Sequence, residues 1–265
     1  MATLWTRSSA AAAIAVALPH TAFAGTTVLD FENVSHGDVV TTQNAGVTIS
    51  ADNATNDVDV AVAFDSELFP SFDPDQTFPW SGGNLPSNTS LGNILVIQAD
   101  GPISGGTVGP GVEPHNEGAR PAGDLIFDFD ENITFFGLDV TDVDGPEEFQ
   151  TNSGFNIQFF LNGIEVADVA FGELITPGNN FYDPSIEFGD NTANRISPLT
   201  AEQLRDHGFG DAVEFDRVIV SLGGSGAVDN IVFGTDDPPT GVPSPSAALA
   251  GLALLGLTIR RRRSA

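Results

Sequence analysis

The sequence predicts an all-β chain, an antiparallel β-sandwich of jelly-roll type with one short helix. Three observations predict it. Glycine and proline are abundant, 29 and 17 of 265 residues, and they cut the chain into short pieces. The pieces alternate apolar and polar with a period of two, and helix-periodic stretches are almost absent. The chain's 20 phenylalanines supply ring area for one sizeable core, so the heavy charge does not imply disorder.

The elements follow in order. Thr26 to Glu32 alternates and reads as the first strand; Gly46 to Ala51 and Val58 to Phe64 read as the next two. Residues 65–90 form a long loop rich in Pro, Asp and aromatic rings, and Ile94 to Ala99 resumes strand. A second Gly- and Pro-rich loop covers 100–122, before alternating strands over Leu125 to Phe129 and Ile133 to Val140. Phe155 to Leu161 and Ile164 to Phe171 flank Asn162-Gly163, a pair that accepts the positive φ angles of a two-residue hairpin turn. Thr200-Ala201-Glu202-Gln203 is a capping box opening the one helix, which ends near Gly208. Val213 to Leu222 and Ala227 to Phe233 read as a last hairpin across Gly223-Gly224-Ser225-Gly226.

The two ends carry addresses. Arg7, the apolar run Ala10 to Leu18 and Ala22-Phe23-Ala24 have the order of a secretory signal peptide over residues 1–24, cut before Gly25 by signal peptidase. The acidic sandwich domain is expected over 25–234 and a linker over 235–245. At residues 246–265 an apolar helix follows, with Arg260, Arg261, Arg262 and Arg263 near its end. Arginines there would stay in the cytoplasm and leave the domain outside. Val242-Pro243-Ser244-Pro245, the short apolar run and the arginine cluster together resemble the PEP-CTERM sorting signal, with Ser244 where the family usually has Glu. The resemblance implies cleavage by an exosortase-like membrane transpeptidase and delivery to the cell surface or extracellular polymer.

Charge excludes several partners. The 36 acids face nine cations, for a net charge of −27, and there is no lysine. All the acids lie after Gly25, where only Arg120, Arg195, Arg205 and Arg217 oppose them before the tail. Such a surface repels nucleic acid and anionic lipid, so membrane contact is expected only through the C-terminal tail. It favours divalent cations instead. With no cysteine, disulfides, thiol catalysis and thiolate metal sites are excluded.

Calcium is the expected cofactor. Asp139-Val140-Thr141-Asp142-Val143-Asp144-Gly145 runs from a strand end into a turn, where hard oxygen ligands such as Asp142 and Asp144 can converge. Asp30 and Glu32 share one face of the first strand, because strand side chains repeat every two residues. Asp65, Asp73 and Asp75 are a weaker second set. Several short pieces resemble, in order, a group of secreted bacterial sandwich proteins: Phe64-Asp65-Ser66, Asp73-Pro74-Asp75, Gly92 to Gln98, Phe127-Asp128-Phe129, Asp142 to Gly145, and Gly224 to Ile231. Their sandwich is similar to carbohydrate-binding modules that hold a structural calcium between the first and last strands. That resemblance implies that Asp229 completes a site with Asp30 and Glu32.

The ring-rich loop offers Phe69, Phe72, Phe78 and Trp80 for stacking on sugar rings, or for pinning the loop to the core. Catalytic motifs are missing: there is no His-Glu-x-x-His, no Gly-x-Ser-x-Gly and no glycine-rich phosphate loop. After the signal only His36, His115 and His207 remain as histidines. The expectation is therefore a non-enzymatic, calcium-stabilised surface or matrix protein that binds extracellular polysaccharide. The alternatives are a structural coat protein and a carboxylate-dependent glycan hydrolase.

Overall fold

A computed structural model describes residues 25–109, 113–116, 120–150, 154–206 and 214–235. The signal segment 1–24, Val242, Pro243, Pro245 and Arg260 to Arg263 lie outside the described residues, as does His207. No helix among the described residues is long and apolar enough to cross a membrane.

The strands are β1 (Thr26–Leu29), β2 (Val47–Asn53), β3 (Ala61–Asp65), β4 (Asn93–Ile97), β5 (Ile103–Ser104), β6 (Thr107–Val108), β7 (Gly123–Ile133) and β8 (Phe135–Thr141). After helix α1 (Pro146–Phe149) come β9 (Asn156–Leu161) and β10 (Ile164–Ala170), then α2 (Phe171–Ile175). The chain closes with β11 (Ala193–Thr200), α3 (Ala201–Asp206), β12 (Phe215–Leu222) and β13 (Ala227–Gly234). One sheet has the order β11-β8-β13-β4-β3, with β1 also on β13; the other has β10-β9-β12-β7-β2. Every registered strand pair is antiparallel.

The core lies between these sheets. Ile49, Leu125, Phe127, Phe159, Val218 and Val220 of one meet Leu95, Phe136, Leu138, Val140 and Val228 of the other. β2 and β7 alternate buried and less buried positions, as a sheet with one wet face requires. β8 and β13 are buried at every position. Their second face is roofed by the 66–92 loop, where Trp80, Leu85 and Leu91 pack on Val62, Phe64, Ile94 and Val96. Backbone bonds stitch the loop to the start of β11: Ser81 N–H to Asn191 O at 2.8 Å and Ala193 N–H to Gly82 O at 3.0 Å.

Three readings need correction. β12 and β13 do not form a hairpin; they belong to opposite sheets, and Gly223 to Gly226 carries the chain across the core. The sequence does not predict β11, because Pro198 interrupts its pattern; as an edge strand with a bulge between Ile196 and Leu199 it tolerates the proline. The described residues hold three short α-helices and a 3-10 turn at Pro74–Gln76 rather than one helix. The expected details at two places are present. Asn162 and Gly163 have φ of 53° and 75° in the β9–β10 turn. Gln203 accepts from Thr200 N–H at 2.9 Å and returns its own N–H to Thr200 Oγ1 at 3.1 Å.

Candidate functional site

The strand registers place a charged row under the roofing loop. Asp229 on β13 sits opposite Asp139 on β8, and Asp139 sits opposite Arg195 on β11. Phe136, Leu138 and Val140 take the inner face of β8, so Asp139 must point to the roofed one. Arg195 donates to both oxygens of Asp139, Nε to Oδ1 and Nη2 to Oδ2, each at 2.7 Å. A bulge between Asp229 and Val232 holds Asn230 at φ 46°. This bend lets one amide donate to both acids, at 2.9 Å to Asp139 and 2.7 Å to Asp229.

The row holds more acids than bases. Two buried carboxylates share one guanidinium, and Oδ1 of Asp229 is buried with no hydrogen-bond partner. Burial pushes Asp229 well above the usual carboxylate range, and the charges of Asp139, Asp30 and Glu32 push it further. Burial raises Asp139 too, against the donors on Arg195 and Asn230.

Asp30 and Glu32 reach this neighbourhood because β1 runs antiparallel beside β13, with Leu29 opposite Ile231. Phe31 between them is buried at φ 52°, a left-handed kink that ends the strand. Glu32 Oε1 accepts the Asn93 N–H at 2.8 Å. A side chain on Gly92 would displace that carboxylate, and the φ of +62° there favours glycine. Burial raises Glu32, while Asn93 lowers it and Asp30, Asp65 and Glu67 raise it.

Asp142 and Asp144 go elsewhere. They lie past the end of β8, at one end of the sandwich. Asp142 is buried at φ 54° and its oxygens accept Asn191 N–H at 2.7 Å and Ser225 Oγ–H at 2.6 Å. It ties two crossing loops together. Burial pushes it up to about 8, opposed by those donors and helped by Asp144 and Asp75. Arg120 reaches Asp144 at 3.4 Å and Glu148 at 2.8 Å. Glu148 is raised to about 7, by burial first and then by Asp144. Among the described residues no three carboxylates or imidazoles converge closely enough to hold an ion by themselves.

The rings of the 66–92 loop divide. Trp80 is 3% exposed, under the roof, and its Nε1–H donates to Thr89 O at 2.9 Å. Phe78 is half-buried against the same cluster. Phe72 stands out at 73% exposed and Phe69 at 88%. The sequence places Asp139 at the head of the acidic run and does not single out Arg195 or Asn230 for the site. One signal pointed to Arg195: it is among only four cations in a strongly acidic domain, and such a cation is well placed to be paired.

No family model matches this chain, and no curated protein does. Among solved structures, the catalytic domain of a GH87 alpha-1,3-glucanase variant in complex with tetrasaccharides matches at 12% identity and a TM-score of 0.26. The match covers 80% of this chain and 31% of that one, and its score is too low to carry an argument.

Proposed function

We propose that this is an exported, non-enzymatic surface or extracellular-matrix protein whose jelly-roll-like sandwich binds extracellular polysaccharide and is stabilised by calcium. In this reading signal peptidase removes residues 1–24, and an exosortase-like enzyme acts on the PEP-CTERM-like tail. The observation that carries the binding role is the pair of uncovered rings, Phe69 and Phe72, on a loop whose base is locked by Trp80. Two rings on a rigid support can stack on a polymer without the entropy cost of ordering the loop. The calcium role draws on the unpartnered oxygen of Asp229 near Asp30 and Glu32, with calcium, which takes 6–8 oxygens, completed by carbonyls and water.

The hydrolase alternative has one observation of its own, the raised Glu148 beside Asp144. Geometry weighs against it. The Glu148 side chain is 2% exposed and paired with Arg120 at 2.8 Å, so a sugar ring has no face of the acid to meet.

Co-sedimentation with the extracellular polysaccharide of the producing cells, in calcium and in chelator, tests the proposal. Calcium-dependent pelleting that a Phe69→Ala, Phe72→Ala double variant weakens is the expected result. No pelleting in either condition overturns it in favour of a structural coat protein.

A further inference from the structure

A cleft of about 230 Å³ lies at the edge of the first sheet, far in sequence from the ring-rich loop. Its floor is apolar and buried: Leu174, Ile186, Ile196 and Leu199. Its wall is Tyr182, the only tyrosine in the chain, 36% exposed. Asn180, Asp183, Ser197 and Gln203 supply a polar rim.

The cleft is held open by its own loop. Glu173 Oε2 accepts Ala170 N–H at 3.0 Å, and Glu173 Oε1 accepts the Asn179 amide at 2.9 Å. Asp183 N–H donates to Leu174 O at 2.8 Å, and its Oδ1 accepts Ser185 N–H at 2.8 Å and Ser185 Oγ–H at 2.6 Å. Phe181 is buried in the main core beside them. The opposite wall is the β11 bulge at Ser197 and Pro198, where the edge strand leaves its ladder.

These features select a ligand class. A net charge of −27 disfavours anions. The bulge and Pro198 break the row of backbone groups that an added peptide strand would need. The volume falls below the ~300–1,000 Å³ of sites for drug-sized ligands and suits one ring. One aromatic face with a single carboxylate is no cage for a quaternary cation. A neutral sugar fits best, its apolar face on Tyr182 and its hydroxyls on the rim.

We infer that the cleft beside Tyr182 is a second carbohydrate site, taking one neutral pyranose unit of a polymer. It rests on the polysaccharide-binding reading for the ligand class but not for the place. Because Tyr182 is the only tyrosine, ring-¹³C tyrosine labelling gives one set of ring signals from the cleft wall. The purified protein is titrated with neutral hexasaccharides of α-1,4-, β-1,3- and β-1,4-linked glucose and β-1,4-linked mannose.

A saturable shift of the Tyr182 signal with at least one of them is expected, and the Phe69→Ala, Phe72→Ala variant keeps it. Tyr182→Ala, with its fold checked by its melt, weakens calorimetric affinity for that sugar by about tenfold or more. An unmoved Tyr182 signal with every sugar overturns the cleft and, if polymer pelleting persists, leaves the loop reading standing. Absence of both overturns both.

Discussion

The outer faces of the two sheets differ. That of the β10-β9-β12-β7-β2 sheet is wet and carries Thr48, Ser50, Asp128, Arg217 and Gln158 at half-exposed or exposed positions. That of the β11-β8-β13-β4-β3 sheet is roofed and carries Asp139, Asp229, Asn230 and an apolar cluster. Each face holds one arginine–aspartate pair, Arg217–Asp128 and Arg195–Asp139. The same chemical pair should therefore have very different consequences. In water an exposed pair contributes little, whereas removing the cation from a buried set leaves uncompensated charge.

The largest effect is expected at Arg195. Arg195→Met leaves Asp139 and Asp229 facing one another with only the Asn230 amide between them. The cost should be about 3–5 kcal/mol, or roughly 10 °C of melting temperature for a domain of this size. A melting temperature within about 2 °C of wild type would show that the roof does not exclude water.

Asp229→Asn should sharpen the same comparison. The substitution mimics the uncharged acid that burial favours, so in chelator the variant should be about as stable as wild type. If calcium sits on the unpartnered oxygen, saturation to about 100 times Kd stabilises wild type by about 2.7 kcal/mol. That corresponds to roughly 5–10 °C in calorimetry. The variant should show little of this shift. An equal calcium shift in both proteins would place the ion elsewhere.

The contrast between the faces also explains what the sequence showed. Alternation is a property of sheets with one wet face, so β2, β7 and the β9–β10 hairpin were legible. β13 alternates in nothing, because both its faces are covered by parts of the chain far away in sequence. Its partner was misassigned for that reason, since two apolar runs joined by a glycine-rich turn look alike whether they pair or cross a core. The candidate site was legible in halves. Asp30, Glu32 and Asp229 follow from strands one and last lying side by side. Asp139 did not, because a run of acids around a strand end hides which of them turns inward. Exposure on the ring-rich loop could not be read from composition: Trp80 and Phe69 share a loop and have opposite fates.

Next in size is pH. Among the described residues every carboxylate with a shift is raised, including Asp142 to about 8 and Glu148 to about 7. The folded state therefore holds protons that the unfolded chain releases above its carboxylate range near 4. Unfolding then sheds protons, and stability falls as pH rises from about 4 towards 8. Differential scanning calorimetry in chelator should give a higher melting temperature at pH 5 than at pH 8, by roughly 2–4 °C per kcal/mol. Asp142→Asn should flatten part of that slope. A melting temperature that climbs with pH would mean that these acids are ionised in the fold.

The smallest effect is expected on the wet face. Arg217 Nε donates to Asp128 Oδ1 at 2.5 Å, but their side chains are 43% and 39% exposed. Water and salt already screen both charges, so Arg217→Met should cost under about 1 kcal/mol. The residual cost should vanish at about 1 M salt, where the Debye length falls to ~3 Å. Arg195→Met should keep most of its penalty at that salt, since ions do not enter beneath the roof. Equal salt sensitivity at the two arginines would erase the distinction between the faces, and with it the claim that the 66–92 loop seals one of them.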